Sequence, residues 1–181
     1  MSMSNFVISH ATPNDIPALN LLVNSAYRGD SSRRGWTTEA DLLSGIRTTE
    51  GSLAELFANH NSLILRYIVD NELLGCVCLE LKGDTLYLGM LTVAPDAQAG
   101  GIGRQLLEAA EQYARDRQCR AVTMTVIPLR TELLAWYERR GYQRTGIELP
   151  FPDDPARFGK PNVPLSFIEL TKQITGERVG E

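Results

Sequence analysis

The stretch from Val93 to Leu107, VAPDAQAGGIGRQLL, constrains the fold more than any other part of the chain. It leaves an apolar strand and enters a helical pattern through a turn that contains Gly100, Gly101 and Gly103. Glycine loses more backbone entropy on ordering than any other residue, so this cluster needs a reason. A strand, a glycine-rich turn and a helix in this order predict a helix N-terminus that an anion can approach closely.

The composition is that of an ordinary globular protein and sets outer limits on function. The chain has 181 residues, 43% hydrophobic and 22% charged, and this length fits one domain over residues 1–181. The net charge of −4 argues against a general nucleic-acid binder, which would carry a basic face. No apolar run reaches the ~20 residues of a membrane helix, and no secretory signal is visible. We therefore expect a cytoplasmic protein whose partners include neither nucleic acid nor a membrane.

The cysteines and histidines argue against a metal site. Cys76 and Cys78 lie two residues apart in a predicted strand, and the three cysteines have no metal-ligand spacing. The two histidines, His10 and His60, are far apart in the sequence. The cysteines are interpreted as small core residues in a reducing compartment, and no metal is expected.

Hydrophobic patterning predicts a mixed α/β fold of about seven strands and four helices. In the first half we predict a strand over NFVISH, a helix over TPNDIPALNLLVNSAY, a second helix over TTEADLLSGI (residues 37–46) and a short helix over SLAELF. Three strand-like runs follow: SLILRYIV, LLGCVCLELK and TLYLGMLTV. Because only short turn sequences separate them, they predict an antiparallel meander.

The second half predicts a β-α-β-α-β run. It comprises the end of the meander, a helix from Gly101 to Arg117, a strand over AVTMTVI, a helix over LRTELLAWYERR that ends before Gly141, and a strand over YQRTGIELPF. A proline-rich loop, PDDPARFGKPN, then leads to a last strand over PLSFIELTK.

A break in the apolar alternation of the third meander strand predicts a β-bulge. Leu86, Leu88 and Met90 alternate as a half-buried strand should, but Leu91 and Val93 carry the next apolar pair. A bulge near Met90–Leu91 would absorb this slip and free backbone N–H groups for a ligand. The alternative is a strand that is buried on both faces near its end.

Two familiar phosphate motifs fit the glycine turn poorly. The sequence has no GK[ST], and a dinucleotide fingerprint would need a small residue where Leu106 stands and an acid at the end of the next strand. That strand ends at Ile127–Pro128 instead. A plain tight connection and another phosphate ligand, such as a nucleotide, stay open as alternatives.

The pattern Gln98-x-x-Gly101-x-Gly103 resembles the Q/R-x-x-G-x-G/A signature of the GNAT superfamily of acetyl-CoA-dependent N-acyltransferases. On either side, LTVAPDAQAGGIGRQLLEAAE resembles the family's bulged fourth strand and third helix, and LLAWYERRGYQRTG resembles its later helix. The matching parts run from about Thr85 to Gly146. The resemblance implies the GNAT fold, with a cofactor-binding core over about 85–146 and acceptor-site elements over about 12–58 and 150–164.

The resemblance also implies how acetyl-CoA, the acetyl donor, is held. The backbone at Leu91 and Val93 would pair with the pantetheine arm and polarise the thioester carbonyl. Arg130 stands where relatives often have an asparagine, so it could reach a phosphate or pair with an acid such as Glu132. Arg104 has an alternative interpretation as an exposed helix residue. The pyrophosphate would lie on the backbone N–H groups of Gln98, Ala99, Gly100, Gly101, Ile102, Gly103 and Arg104.

For the chemistry, the resemblance implies direct attack of an amine on the thioester. Tyr137 matches the family's tyrosine acid, and its helical spacing from Arg130 turns it inward. The alternative for Tyr137 is a core tyrosine whose hydroxyl bonds a backbone carbonyl. Where many relatives carry a glutamate base, this chain has Tyr87, Leu88 and Gly89. Glu80 is a possible base, against a solvated edge residue, a water relay, or an amine that arrives deprotonated.

The acceptor is expected to be an amine of a small molecule, less readily a peptide. Tyr27, Arg33 and Trp36 are the candidate substrate-binding residues, and Arg33–Arg34 could receive an anionic or aromatic acceptor. The alternatives are a solvated charge pair and a packing or lid tryptophan. The loop before the last strand adds Phe151, Arg157 and Phe158.

A non-catalytic acyl-CoA sensor stays open as a second function. A monomer or a homodimer, paired for example through the last strand, is compatible with the sequence.

Overall fold

The chain forms helices and strands close to those that the sequence predicts. The computed structural model describes residues 5–27, 43–44, 47–152 and 160–174. The helices in these ranges are α1 (Ile16–Tyr27), α2 (Glu50–Ala58), α3 (Ile102–Asp116) and α4 (Thr131–Arg139). None of them is both long and apolar enough to cross a membrane. The strands are β1 (Phe6–His10), β2 (Leu43–Ser44), β3 (Ser62–Val69), β4 (Glu72–Lys82), β5 (Thr85–Val93), β6 (Ala121–Val126), β7 (Gln143–Pro150), β8 (Lys160–Pro161) and β9 (Ser166–Gln173).

Seven of the strands form one mixed sheet in the order β1-β3-β4-β5-β6-β9-β7. All neighbours are antiparallel except β5 and β6, which are parallel. The predicted meander is confirmed as β3, β4 and β5. The mixed sheet with helices is confirmed as well, and β2 and β8 form a separate antiparallel pair.

Two expectations from the sequence are wrong in part. The last strand, β9, lies between β6 and β7 and is paired on both sides, so it is not an edge that could join a second copy. Leu43–Ser44 is a strand rather than part of the helix predicted over residues 37–46. A two-residue strand has no period of its own, and its pairing with Lys160–Pro161 comes from far along the chain. The rest of that predicted helix lies outside the described residues.

The helices cover both faces of the sheet. Val77 and Leu79 of β4 face a core that also contains apolar residues of α3 and α4. Cys76 and Cys78, which alternate with them, face the core formed with α1 and α2. All three cysteines of the chain are free and buried, as the sequence predicts, and burial raises the pKa of the Cys76 and Cys78 thiols to about 12.

Close packing of α3 onto β4 depends on Gly75. A Cβ added at Gly75 would lie 2.9 Å from the backbone oxygen of Thr92 and 3.0 Å from side-chain atoms of Ile102 and Leu106. No side chain fits at such distances, because the neighbouring atoms include backbone. Gly75 therefore sets the height of the α3 N-terminus above the sheet.

A buried carboxylate ties α3 to the far end of the sheet. Glu111 accepts a hydrogen bond from the Tyr142 hydroxyl at 2.9 Å and one from Lys172 Nζ at 3.0 Å. Burial and the Glu111 charge raise the pKa of Tyr142 above its usual value, so its hydroxyl stays a donor. The two donors compensate for the burial of the charge and fix where α3 lies.

The predicted β-bulge is present in β5. Pairing with β4 slips between Gly89, which lies opposite Cys78, and Thr92, which lies opposite Cys76. Within the slip, Met90 has a φ of 51°, in the left-handed region that non-glycine residues seldom adopt. The extra residue takes the backbone near Leu91 out of the regular β4–β5 ladder.

The sheet opens beside this bulge. The parallel pairing of β5 and β6 runs from Thr85 opposite Ala121 to Tyr87 opposite Thr123, although both strands continue further. Beyond Tyr87 the two strands part, and the edge of β5 that carries the bulge faces the resulting cleft.

Candidate active site

The glycine-rich turn leads into α3 through a left-handed residue. A 3₁₀ turn at Pro95–Gly100 ends at Gly101, whose φ of 77° favours glycine. The α3 helix begins at the next residue. Its N-cap residue is Gly101, which has no side chain that could cap the first N–H groups. Its first N–H groups have no partner within the helix, and its N-terminus carries a partial positive charge.

A first cavity of about 150 Å³ lies at this helix start. Its lining includes Gly101 and Gly103 and three arginines, Arg104 of α3 and Arg130 and Arg140 at the two ends of α4. The other lining residues are Ala26, Tyr27, Leu91, Thr92, Val93, Leu133, Trp136 and Tyr137. Apolar walls beside a cationic end suit a ligand with an apolar arm and an anionic head.

Arg140 is fixed at the cationic end of this cavity. Its Cζ lies 3.9 Å from the centroid of the Trp136 ring, and its Nη1 donates a hydrogen bond to the Trp136 backbone oxygen at 3.0 Å. Burial, with the nearby charges of Arg139 and Arg104, lowers the pKa of Arg140. Because like charges crowd here, a bound anion would be stabilised.

A second cavity, of about 200 Å³, lies in the cleft between β5 and β6. The stacked rings of Phe151 and Phe167, with centroids 5.2 Å apart, form part of its wall. Tyr87 is held there by a 2.8 Å hydrogen bond between its hydroxyl and Thr125 Oγ1. The remaining lining residues are Tyr27, Arg47, Leu88, Gly89, Met90, Leu91, Met124, Val126, Ile127, Arg130, Leu133 and Tyr137.

The two cavities share one wall. Five residues line both of them: Tyr27, Leu91, Arg130, Leu133 and Tyr137. Ligands that enter from the two sides would therefore meet at these side chains, beside the β5 bulge. We refer to this group of five residues as the shared wall.

Tyr137 is the buried phenol of the shared wall. Its ring packs edge-on against Trp136 and Tyr142, with centroids 5.1 and 5.8 Å away. Burial, and to a smaller extent the neighbouring Tyr27, raises the pKa of Tyr137 above its usual value, whereas the charge of Arg130 lowers it. The hydroxyl is therefore protonated throughout the physiological range and acts as a hydrogen-bond donor.

Tyr27 holds the other side of the shared wall. Its hydroxyl donates a 2.7 Å hydrogen bond to the backbone oxygen of Leu91 at the bulge. The Cζ atoms of Arg47 and Arg130 lie 5.1 and 5.6 Å from the centre of its ring. Attraction between guanidinium groups and the ring face fixes both cations beside the second cavity.

The structure brings most of the predicted coenzyme residues together. Gln98, Ala99 and Gly100 form the 3₁₀ turn, and Ile102 begins α3. Arg104 is half-exposed and pairs with Glu108 at 3.2 Å, and it also lines the first cavity. The packed face predicted for α4 is confirmed, because Leu134 and Tyr137 are buried and Leu133 lines both cavities.

Of the other predicted site residues, Glu80 lies outside both linings and the rest lie outside the described residues. Among the described residues, the lining of neither cavity includes Glu80, which lies opposite Tyr87 in the β4–β5 ladder. Arg33 and Trp36 lie outside the described residues, as do Arg34, Arg157 and Phe158. Within the described ranges, no group of three His, Cys, Asp or Glu side chains could hold a metal ion.

Several lining residues were not assigned to the site from the sequence, among them the charged or aromatic residues Trp136, Arg140, Arg47 and Phe167. Trp136 of α4 and Arg140, which directly follows that helix, lie one helical turn apart. This spacing could have indicated that the two side chains lie next to each other. Arg47 and Phe167 carry no local pattern. They reach the second cavity only because the fold joins distant segments.

Comparisons with known proteins agree on one fold. The family model described as "Acetyltransferase (GNAT) family" matches residues 31–142. Three solved structures are similar in fold. The ribosomal-protein-S18-alanine N-acetyltransferase from Escherichia coli is 18% identical, with a TM-score of 0.69 and coverage of 98% of this chain and 97% of that one. A ribosomal-protein-alanine N-acetyltransferase from Brucella melitensis is 22% identical (TM-score 0.65; 92% and 99% covered). A probable acetyltransferase from Staphylococcus epidermidis is 14% identical (TM-score 0.71; 94% and 100% covered).

Proposed function

Because the chain belongs to the GNAT family of acetyltransferases, we propose that it transfers the acetyl group of acetyl-CoA to a primary amine of a small molecule. The observation that carries this proposal is the shared wall. It joins a cavity with a cationic, glycine-lined end to a second cavity that apolar, aromatic and cationic side chains line. An acetyl donor in the first and an amine in the second would meet at Tyr137.

The glycines of the turn support coenzyme binding in the first cavity. A Cβ at Gly100 would meet nothing within 4 Å, and one at Gly103 would make only ordinary contacts, 3.6 Å or longer, with Trp136 and Val93. The protein's own packing therefore does not require glycine at these two positions, and a ligand on the backbone would. The N-terminus of α3 with Arg104 and Arg140 suits a diphosphate.

Acetyl-CoA, when bound, supplies an activated acetyl thioester. In the transfer, the amine nitrogen forms a bond to the carbonyl carbon and the carbon–sulfur bond breaks. The products are an amide and the coenzyme thiol, so one proton leaves the nitrogen and one reaches the sulfur. The edge of β5 near Leu91 and Val93 lines the first cavity, and its backbone is suited to orient the donor and to polarise its carbonyl.

Tyr137 is proposed to stabilise the departing thiolate by donating a hydrogen bond. A thiol ordinarily has a pKa near ~8.5 and a tyrosine one near ~10, so full proton transfer from the phenol is uphill. Because the pKa of Tyr137 is raised further, its main role would be donation, with the Arg130 charge offsetting any negative charge that develops on the phenol. The thiol would then gain its proton from solvent.

The amine is proposed to lose its proton without a dedicated carboxylate base. The charged residues among the described lining of the second cavity are Arg47 and Arg130. Positive charge nearby disfavours an ammonium ion and lowers the pKa of a bound amine. Water in the cleft can carry the proton away. Glu80 stays a prediction, and the geometry favours this route over it.

The dimensions of the second cavity favour a small molecule over a peptide. About 200 Å³ accommodates a compact acceptor, whereas a peptide would need an extended groove. The ring pair of Phe151 and Phe167 bounds this space. Both features support a compact amine with an apolar part.

A screen of primary amines with a free-thiol readout tests the proposal. The expected result is coenzyme release that requires both acetyl-CoA and an amine. Tight binding of acetyl-CoA without release across a broad panel would favour a sensor instead. Displacement of bound coenzyme by ATP, with no effect of CoA on ATP binding, would indicate a nucleotide ligand and contradict the proposal.

A further inference from the structure

We infer that the acceptor carries an anionic group, a carboxylate in the simplest case, beside its amine and a compact apolar body, and that Arg47 binds this anion. The inference rests on the proposed function, because it assigns the substrate class of the same second cavity. It is carried by the charge and the wall composition of that cavity.

Among the described residues, the lining of the second cavity has positive charge without negative charge. Arg47 and Arg130 are its ionic residues among those described, and no carboxylate is part of that lining. Arg130 also lines the first cavity and belongs to the shared wall. Arg47 lines the second cavity and not the first, so its charge is available to an acceptor rather than to the coenzyme.

Arg47 is fixed in place by contacts that involve no carboxylate of the described residues. Asn24 Oδ1 accepts hydrogen bonds from the backbone N–H groups of Arg47 and Thr48, at 2.6 and 3.0 Å. The Arg47 guanidinium lies over the Tyr27 ring. In the described ranges, no carboxylate lies within 4 Å of it. A half-buried guanidinium held in this way has donors left for a planar anion such as a carboxylate.

The remaining walls define the rest of the acceptor. Phe151 and Phe167 stack at 5.2 Å, and Met124 and Val126 add apolar surface. Such walls accept a compact aliphatic or aromatic group. The reactive amine must lie at the shared wall near Tyr137, so the anion and the apolar group would point toward Arg47 and the phenylalanine pair.

The same charges argue against polycationic acceptors. A second ammonium group in this cavity would lie near Arg47 or Arg130, where like charges repel. An anionic group instead offsets the guanidinium charge that would otherwise hinder the entry of a cationic amine. Diamines and polyamines should therefore be poor acceptors.

Binding of an amine-free probe tests the anion site directly. We would titrate 3-phenylpropionate and its uncharged amide, 3-phenylpropionamide, into the protein saturated with CoA and measure both affinities by calorimetry. The acid should bind about tenfold more tightly than the amide, the magnitude of one hydrogen-bonded ion pair. In R47M the two should bind about equally, and R47K should keep part of the preference because it keeps the charge without the planar fork.

R120M is the matched control. Arg120 is exposed, pairs with Asp84 at 2.8 Å and lines neither cavity, so this variant removes the same charge elsewhere. It should keep the full preference for the acid. Unchanged CoA affinity in R47M would show that the variant is folded.

The outcomes separate the inference from the proposed function. If the amide binds as tightly as the acid, if neither binds, or if R47M keeps the preference, the anion site is refuted. If the acid is preferred through Arg47 but no amine releases coenzyme, the anion site stands and the proposed function fails. If 2-phenylethylamine is acetylated as well as phenylalanine and the acid is not preferred, the proposed function stands and the inference fails.

Discussion

The two cavities on either side of the shared wall are built in different ways. The first is formed mainly by two short stretches, from Leu91 to Arg104 and from Arg130 to Arg140, and it includes the N-terminus of α3 and the bulged end of β5. The second draws side chains from α1, β5, β6 and β9 and from the residues around Arg47 and Phe151. A site of backbone groups can bind the same ligand in proteins of many different sequences. A site of side chains from distant segments has a specificity that depends on the sequence of the individual protein.

This difference separates what is general in the molecule from what is particular. The coenzyme side is expected to depend on backbone conformation, so glycine substitutions should damage it most. The acceptor side is expected to depend on the identity of side chains. The shared wall lines both cavities, so substitutions there test whether the two cavities act independently.

The largest effect is expected for Tyr137→Phe. Removing the hydroxyl takes away the proposed hydrogen-bond donor to the departing thiolate, and turnover should fall by about a hundredfold, within the ~10²–10³ typical of losing one donor to a developing anion. Coenzyme affinity should change by less than about twofold, because the ring and its packing remain. Steady-state kinetics with a thiol readout and calorimetric titration of acetyl-CoA measure the two quantities.

Tyr142→Phe is the control for the loss of a buried tyrosine hydroxyl. Tyr142 bonds Glu111 and lines neither cavity, so its variant should lose stability but keep its turnover per folded molecule. The pH profile adds a second readout. Since the pKa of Tyr137 is raised, the rate should rise as the amine deprotonates and should not fall near pH ~10 through ionisation of this phenol. A fall below that pH that disappears in Tyr137→Phe would contradict the assignment.

Much of the geometry of the first cavity could be predicted from the sequence because its parts are local; its role as a coenzyme site stays a prediction. A strand, a turn and a helix between Leu91 and Arg104 carry their own period and glycine signals, and Tyr137 follows Arg130 at two helical turns. The slipped alternation at Met90 identified the bulge from the strand pattern alone. Each of these features is encoded within about a dozen residues.

The acceptor side and the strand order could not be predicted in the same way. Tyr27, Arg47 and Phe151 fall within the predicted acceptor-site segments, but no local pattern marks Arg47 as a lining residue, and Phe167 lies outside those segments. Similarly, nothing in the period of β9 says that it pairs between β6 and β7. Such placements arise from contacts between distant segments, and hydrophobic periodicity carries no information about them.

A smaller effect is expected for Gly101→Ala, which sharpens the comparison on the coenzyme side. At a φ of 77°, alanine costs about 1–2 kcal/mol, and relaxing that strain would reorient the first N–H groups of α3. Coenzyme affinity should fall by about tenfold, an effect that 1.4 kcal/mol accounts for. Gly83→Ala is the matched control, since Gly83 has a φ of 62°, has open space around it and lies in neither cavity lining. Equal losses of coenzyme affinity in both variants would show that the effect is only general destabilisation.

A still smaller effect is expected for Tyr27→Phe. The variant loses the hydrogen bond to the Leu91 oxygen, worth about 1 kcal/mol, so the thermal midpoint should fall by a few degrees. Because the bulge would be held less firmly, catalytic efficiency should fall by about fivefold for both substrates. Tyr67→Phe loses a comparable 2.7 Å bond, to Gln105 Oε1, away from both cavities. It should match the loss of stability and leave the kinetics unchanged. An equal kinetic loss in Tyr67→Phe would show that the effect of Tyr27→Phe is only general destabilisation.

The smallest effect is expected for Glu80→Gln, which tests whether the acceptor side needs a carboxylate base. The sequence offers Glu80 for this role, but the structure keeps it outside the described lining of both cavities, at the strand position opposite Tyr87. If the guanidinium charges lower the pKa of the amine and water takes the proton, the variant should keep its rate within about twofold across the pH range. A general base in contact with the amine would instead contribute a hundredfold or more, by the ~10²–10⁴ typical of such groups. A loss of that size, largest at low pH where most of the amine is protonated, would assign the base to Glu80. It would also show that a residue outside the described lining of the second cavity takes part in the chemistry on the acceptor side.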